Sequence, residues 1–281
     1  MTESFASYLQ MQNFDNFRSL ELFPSIFTGE FCGGEGHSEM ATMAERVWET
    51  AGPTVADLLM QNEGYELIIT GHSLGAGAAC LLNILLSQSR VNRPKALDKT
   101  IEIVQRRPIR CFAFASPPVF SPLEVVPRAV ESTVNYINQD DFVPFVSLNS
   151  VRHFFSCIRV LDEFYASSKH ASKSACGGNF DRLRVIWGSQ KPPRELVDLV
   201  RVASNEALVP KRGAPRLVIP ARASVWMRHD SDGNYSVDIC DSRRLALLGI
   251  HLDNNMLADH SPARYEHAFE ALYKIEKEQQ R

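Results

Sequence analysis

Gly71-His72-Ser73-Leu74-Gly75 matches the pattern G-x-S-x-G, in which a serine is presented on a sharp turn. Such a turn strains the serine backbone, and side chains two residues to either side would collide. Gly71 and Gly75 are therefore expected to be required by sterics. The Leu74 N–H, at a helix N-terminus, would face any oxyanion formed on an attacked carbonyl. A serine hydroxyl alone is a poor nucleophile. It needs a base to take its proton and an acid to hold that base in the right tautomer. With a nucleophile on such a turn the chain order is serine, then Asp or Glu, then His. Asp140 and Asp141 directly follow the apolar run TVNYIN, and His260 lies in Leu-Ala-Asp-His-Ser-Pro. Each has a plainer reading: an incidental serine at a helix start, a turn or helix-cap pair, and a solvated histidine ahead of a helix.

Other chemistry-bearing residues carry less. His72 flanks the serine and reads as a packed turn residue. His37 reads as a helix-entry residue or a site-lining one, and His153, His170, His229, His251 and His267 have no motif around them. None of the six cysteines forms a C-x-x-C pair, so there is no metal or redox signature. Cys80 and Cys111 sit in apolar runs and read as small buried hydrophobes. The net charge of −3 and the short basic pairs Arg106-Arg107 and Lys211-Arg212 give no reason to expect a nucleic-acid partner.

The elements that must position these groups follow from patterning. YELIIT (65–70) reads as a buried strand, and LGAGAACLLNILLSQ after the serine as a helix, so strand, sharp turn and helix are contiguous. PIRCFAFA (108–115) and TVNYIN (133–138) read as further strands, and RLVIP, ASVWMR and YSVDIC as late ones. Residues 38–62 read as a helix with Met43, Val47, Val55, Leu58 and Leu59 as its apolar face, bent or divided at Gly52-Pro53. Residues 147–163 and RELVDLVRVASNEAL read as helices. So does SPARYEHAFEALYKIEKEQ, with Ser261 as N-cap and Pro262 at N1. Residues 1–36, with Phe5, Phe14, Phe17, Phe23, Phe27 and Phe31, show no helical or strand period and read as an irregular Phe/Gly-rich segment, a flap or a remnant. The expected organisation is that segment followed by one α/β domain over 37–281, with a polar surface excursion at 166–194. At 44% hydrophobic and 22% charged residues the chain is neither disordered nor fibrous. No basic-then-apolar leader and no apolar run of about 18 residues is seen, so a cytoplasmic protein without a membrane span is expected.

Taken in order, these motifs resemble the class 3 (fungal-type) lipases, in particular the diacylglycerol-lipase branch. LIITGHSLGAGAA resembles that family's strand and elbow, Asp141-Phe142-Val143-Pro144 its D-x-V-P, and Met256-Leu257-Ala258-Asp259-His260 with Tyr265 its M-x-x-D-H…Y. CFAFASPP (111–118) resembles the strand before the acid loop, and Gly36-His37-Ser38-Glu39-Met40 the G-x-H-x-G-M helix entry, with Glu39 where glycine is usual. The resemblance runs from about residue 33 to 275. It implies an α/β-hydrolase fold with a mainly parallel sheet and flanking helices. It implies Ser73 as nucleophile, Asp141 as orienting acid with Asp140 its rival, His260 as base, and the Leu74 N–H as an oxyanion donor. It implies hydrolysis of acylglycerol esters through an acyl-enzyme, without cofactor or metal, with peripheral membrane contact possible in such a protein. The family's upstream strand ending in an R-G-T-like turn, which supplies the second oxyanion donor, has no counterpart before Ser73. The N-terminal strands of the sheet are therefore expected to be missing, and a weak or inactive lipase-like interaction protein stands as the alternative.

Overall fold

The computed structural model describes residues 28–88, 98–167, 191–208, 217–230, 232–246, 248–250, 253 and 255–280. The expected excursion at 166–194 and residues 1–27 fall largely or wholly outside these.

Five strands form the main sheet: β3 (Leu67–His72), β4 (Ile109–Phe114), β6 (Thr133–Asn138), β7 (Ala223–His229) and β8 (Tyr235–Cys240). They lie side by side in that order; the first four are parallel, and β8 runs antiparallel to β7. Because successive strand residues point to opposite faces, Cys111 and Ala113 of β4 enter the main core while Phe114 faces the other side. The main core is closed by α1 (Ser38–Gln61), α2 (Leu74–Ser87) and α3 (Asp98–Val104). On the opposite face, a helix over Pro262–Gln279 packs Tyr265 and Ala268 against Phe114, Tyr136, Val225 and Met227. This mostly parallel sheet, covered by helices on both faces and carrying a strand–turn–helix at β3, is the α/β-hydrolase arrangement.

Helix α2 is apolar all round, as a helix buried on every side must be. Every residue from Ala76 to Leu86 is buried. Its one polar member, Asn83, is fully buried and donates through Nδ2 to Ala129 O, Ser132 Oγ and Thr133 Oγ1, so its burial leaves no donor unmatched.

Several expectations are corrected. Helix α1 runs unbroken through Pro53. Its buried stripe is Met40, Ala44, Trp48, Gly52, Ala56 and Leu59, whereas Met43, Val47 and Leu58 of the expected apolar face are about half exposed. Within that stripe Gly52 leaves room for the Trp48 ring one turn earlier in the helix. A Cβ on Gly52 would lie 2.7 Å from the Trp48 ring. Strand β3 is an edge strand among the described residues. Only Ile69 is buried, and Ile68 is 52% exposed.

The N-terminal stretch is less irregular than expected. Thr28–Phe31 (β1) and Gly34–His37 (β2) form a hairpin whose turn residues, Cys32 and Gly33, both have positive φ, the geometry that matches strand twist. Phe120–Ser121 (β5) adds to β2. RLVIP is not a strand. It makes a single bridge, Val218 to Phe120, and Pro220, lacking an N–H, cannot extend it. Among the described residues no helix is long and apolar enough to cross a membrane.

The remaining elements are α4 (Pro127–Ser132), α5 (Leu148–Ser167), α6 (Arg194–Leu208), α7 (Ser242–Leu245), α8 (Met256–Asp259) and α9, the helix over Pro262–Gln279. Helices α5 and α6 share a small core of Leu161, Tyr165 and Leu196.

Candidate active site

Three parallel strands end at one edge of the sheet, and each is followed by a non-glycine residue with positive φ: Ser73 after β3, Ala115 after β4, Gln139 after β6. Each continues the ladder, through Ser73 N–H to Phe114 O, Ala115 N–H to Tyr136 O, and Gln139 N–H to Met227 O, all at 2.9 Å. Backbone strain held in place by such pairing collects at functional sites.

Ser73, at φ 58° and ψ −127°, joins β3 to α2. The turn is so tight that a Cβ on Gly71 would lie 2.2 Å from the Gly75 carbonyl oxygen. The same construction on Gly75 meets nothing within 4 Å. The expectation that sterics require both glycines is thereby corrected: Gly71 is required because the backbone at Gly75 passes over it, while Gly75 faces open space. Gly71→Ala is expected to destabilise the fold by at least about 4 kcal/mol. Gly75→Ala should leave stability unchanged or raise it by up to about 1 kcal/mol. Urea unfolding of the two variants side by side checks the contrast.

The other two segments arrive from farther along the chain. The acid turn follows β6, and His260 occupies the junction between α8 and α9. His260 Nε2 lies 2.9 Å from Ser73 Oγ, and its Nδ1 lies 3.0 and 3.1 Å from the two oxygens of Asp141. A carboxylate only accepts, so Nδ1 carries the proton and Nε2 is free to accept the serine O–H. Asp141 is fully buried. Its Oδ1 also accepts the Val143 N–H at 3.0 Å, and its Oδ2 accepts the Tyr265 hydroxyl at 2.7 Å. Burial first, and then the Asp141 charge, push the Tyr265 phenol well above its ordinary range, so it stays a donor. The rival Asp140 meets the site through its backbone: its N–H donates to Asp259 Oδ2 at 3.4 Å.

Leu74 is the first residue of α2, so its N–H belongs to the first turn, where amides have no intrahelical acceptor. Its side chain is 59% exposed, beside the serine.

The motif reading did not assign site roles to Asn138, Asp259 or Tyr265, yet they tie the segments together. Asn138 Nδ2 donates to Asp259 O at 3.0 Å, and the Asn138 N–H donates to the Tyr265 hydroxyl at 3.1 Å. The available signal was position: Asn138 ends the strand before the acids, Asp259 abuts His260, and Tyr265 falls one helical turn into α9.

The other candidates lie elsewhere or do less. His37 is the N-cap residue of α1, with its Nδ1 buried and unpartnered. His229 and His267 both pack on Tyr235. His170 and His251 lie outside the described residues. Cys80 and Cys111 are fully buried, and the Cys111 thiol is pushed strongly up by its bond to Cys80 and by burial. Among the described residues no cluster of three or more His, Cys, Asp or Glu is arranged to hold a metal ion.

His37, His72 and His153 are held below the ordinary imidazole value of 6.5, with burial the largest cause in each. The unfolded chain takes up protons at these sites as pH falls through about 6.5, while the fold resists them. Stability is therefore lost below about 6.5. The melting temperature is expected to be flat from about pH 8 to 6.5 and to fall from there to about pH 5.5. A rise on acidification over that window contradicts the assignment.

A family model described as lipase (class 3) matches residues 3–151. Among solved structures, Rhizomucor miehei triacylglyceride lipase matches at 21% identity and TM-score 0.33, over 42% of this chain and 43% of that one. Lipase II from Rhizopus niveus matches at 24% and 0.32, over 41% and 40%. The native Rhizomucor miehei lipase propeptide complex matches at 15% and 0.40, over 81% and 50%. The chain thus spans between 40% and 50% of the length of these lipases. No curated protein matches it.

Proposed function

The chain belongs to the class 3 lipase family, and on that premise we propose that it hydrolyses carboxylic esters of acylglycerols, diacylglycerol or triacylglycerol, through an acyl-enzyme. The observation that carries this reading is the hydrogen-bonded row from Ser73 Oγ through His260 to buried Asp141.

As Ser73 Oγ attacks the ester carbonyl, His260 Nε2 takes the hydroxyl proton. Asp141 holds the tautomer through Nδ1 and offsets the positive charge on the ring. The oxyanion is met by the Leu74 N–H. The imidazolium then protonates the leaving alkoxide, which departs as an alcohol and leaves Ser73 acylated. Water enters, His260 takes one of its protons, and attack on the acyl carbon releases the fatty acid and restores Ser73. Tyr265 and the Val143 N–H satisfy the remaining lone pairs of Asp141. Leu74 and Leu257, both exposed on the segments that carry Ser73 and His260, offer apolar surface to acyl chains and to peripheral contact with a lipid surface.

A second reading, a catalytically weak lipase-like interaction protein, is favoured by one observation on the sequence: residues 1–72 contain no R-G-T-like turn of the kind that supplies a second oxyanion donor in the family. Loss of one such donor costs about 10²–10³ in rate. The same experiment separates the two. The purified protein is treated with a fluorophosphonate probe, then assayed on a short-chain aryl ester and on diacylglycerol, triacylglycerol and phospholipid in parallel. Labelling at Ser73 with turnover of an acylglycerol is the expected result. Folded, monodisperse protein that neither labels nor turns over any ester overturns the enzyme reading in favour of the second.

A further inference from the structure

His260 sits where regular structure gives out, in a turn between the four-residue α8 and α9. A base in such a place needs its backbone held, because a small rotation of the turn would draw Nε2 away from the serine. On the acid side, Asn138 and the Asp140 N–H hold Asp259. On the nucleophile side, one side chain reaches across. His72 Nε2 lies 2.9 Å from the main-chain carbonyl oxygen of His260. A carbonyl can only accept, so the His72 proton must sit on Nε2.

The two imidazole rings lie 4.8 Å apart at a tilt of 36°, and Tyr265, which donates to Asp141, meets the His72 ring edge-on at 5.8 Å. His72 is itself fixed. It is the last residue of β3, in register with Phe114 of β4, and the next residue is Ser73. One dipeptide therefore controls both ends of the serine–histidine hydrogen bond: Ser73 supplies the hydroxyl, and His72 holds the carbonyl of the residue that accepts its proton.

The geometry points to His72 as a positioning residue, one that fixes the backbone of His260 so that its Nε2 stays on Ser73 Oγ. This deepens the proposed hydrolase and rests on that reading for its kinetic consequence. Burial, and then the neighbouring His260 ring, hold the His72 ring below its ordinary value, against smaller upward pulls from its bond to the His260 carbonyl and from Asp141. His72 therefore stays neutral and does not compete for charge when His260 takes the serine proton. The same bond removes His72 as a rival base, since its Nε2 is committed to a carbonyl.

The test pairs two substitutions. His72→Phe keeps an aromatic ring but has no donor; His72→Gln keeps an N–H near the position of Nε2. With wild-type-like melting, H72F is expected to lower kcat for an aryl ester by about 10–100-fold, with KM changed less than about threefold. H72Q should recover most of that loss. An H72F enzyme with wild-type kcat overturns the proposal, as does an H72Q enzyme as impaired as H72F.

Two spectroscopic readouts do not require turnover. Long-range proton–nitrogen spectra of the wild type should show His72 protonated at Nε2, and protonation at Nδ1 instead overturns the proposal even if H72F fails to fold. The downfield proton shared by His260 Nδ1 and Asp141 should broaden in H72F and return in H72Q. Wild-type protein that passes both spectroscopic tests but never labels with the fluorophosphonate would sink the hydrolase and leave the positioning role standing.

Discussion

Ser73→Ala is expected to lower kcat on a short-chain aryl ester by about 10⁶-fold and to abolish fluorophosphonate labelling. The substitution removes the hydroxyl that His260 Nε2 contacts, at 2.9 Å. Little else changes. Alanine has the same penalty as serine at φ 58°, so the strained turn is neither relieved nor worsened. The backbone bonds of residue 73, its N–H to Phe114 O and its carbonyl to the amides of Ala76 and Gly77, are untouched. His260 keeps its two contacts to Asp141 and its carbonyl keeps His72. The variant should therefore melt within a few degrees of the wild type, so lost activity cannot be charged to unfolding. Labelling that survives in Ser73→Ala removes Ser73 from the nucleophile role.

Asp141→Asn is expected to cost about 10⁴ in kcat. The mechanism is a forced tautomer. The Val143 N–H needs an acceptor at the position of Oδ1 and the Tyr265 hydroxyl donates at that of Oδ2; the hydroxyl proton can turn away and the backbone N–H cannot, so the asparagine oxygen settles at Oδ1 and the amide NH₂ takes the place of Oδ2. That NH₂ then faces Nδ1 of His260 and requires it to accept. The ring proton moves to Nε2, which can no longer take a proton from Ser73. Asp140→Asn is the matched control. Its carboxylate is not bonded to His260, and kcat should stay within about threefold. Equal losses in the two variants would mean that the acid has been misassigned. A loss confined to Asp140→Asn would transfer the role to that residue. Both are read as kcat on the aryl ester, with a urea midpoint alongside.

The legible parts of this protein share a property: their reasons are local. The run LIIT, the glycine at 71 and the small residues that open α2 announce a strand, a sharp turn and a helix, because sterics over a few residues dictate them. The failures have a common cause as well. In α1 the large aliphatics Met43, Val47 and Leu58 suggested the buried face. The helix instead packs through Ala44, Trp48, Gly52 and Ala56, with the missing Cβ of Gly52 leaving room for the Trp48 ring, a fit that residue hydrophobicity does not announce. Gly75 looked as constrained as Gly71, and only the path of the backbone shows that one faces a carbonyl at 2.2 Å and the other faces space. The hairpin at Thr28–His37 has almost no β-branched residues and forms through its turn and its pairing with Phe120–Ser121, a partner more than eighty residues on.

By itself the sequence determined the local unit around Ser73, and its motifs pointed to Asp141, ahead of the adjacent Asp140, as acid and to His260 as base. Their meeting was decided by the tertiary structure: the Ser73–His260 contact spans 187 residues, and the His260–Asp141 contact spans 119. No short-range preference can encode such separations. They arise because parallel strands bring the ends of β3 and β6 to one edge, and because α9 packs Tyr265 and Ala268 on the sheet face opposite α2. The contact of Asp141 with His260, the bond from Tyr265 and the reach of His72 to the His260 carbonyl all follow from that packing, since hydrogen-bond direction is fixed only once the segments are in contact.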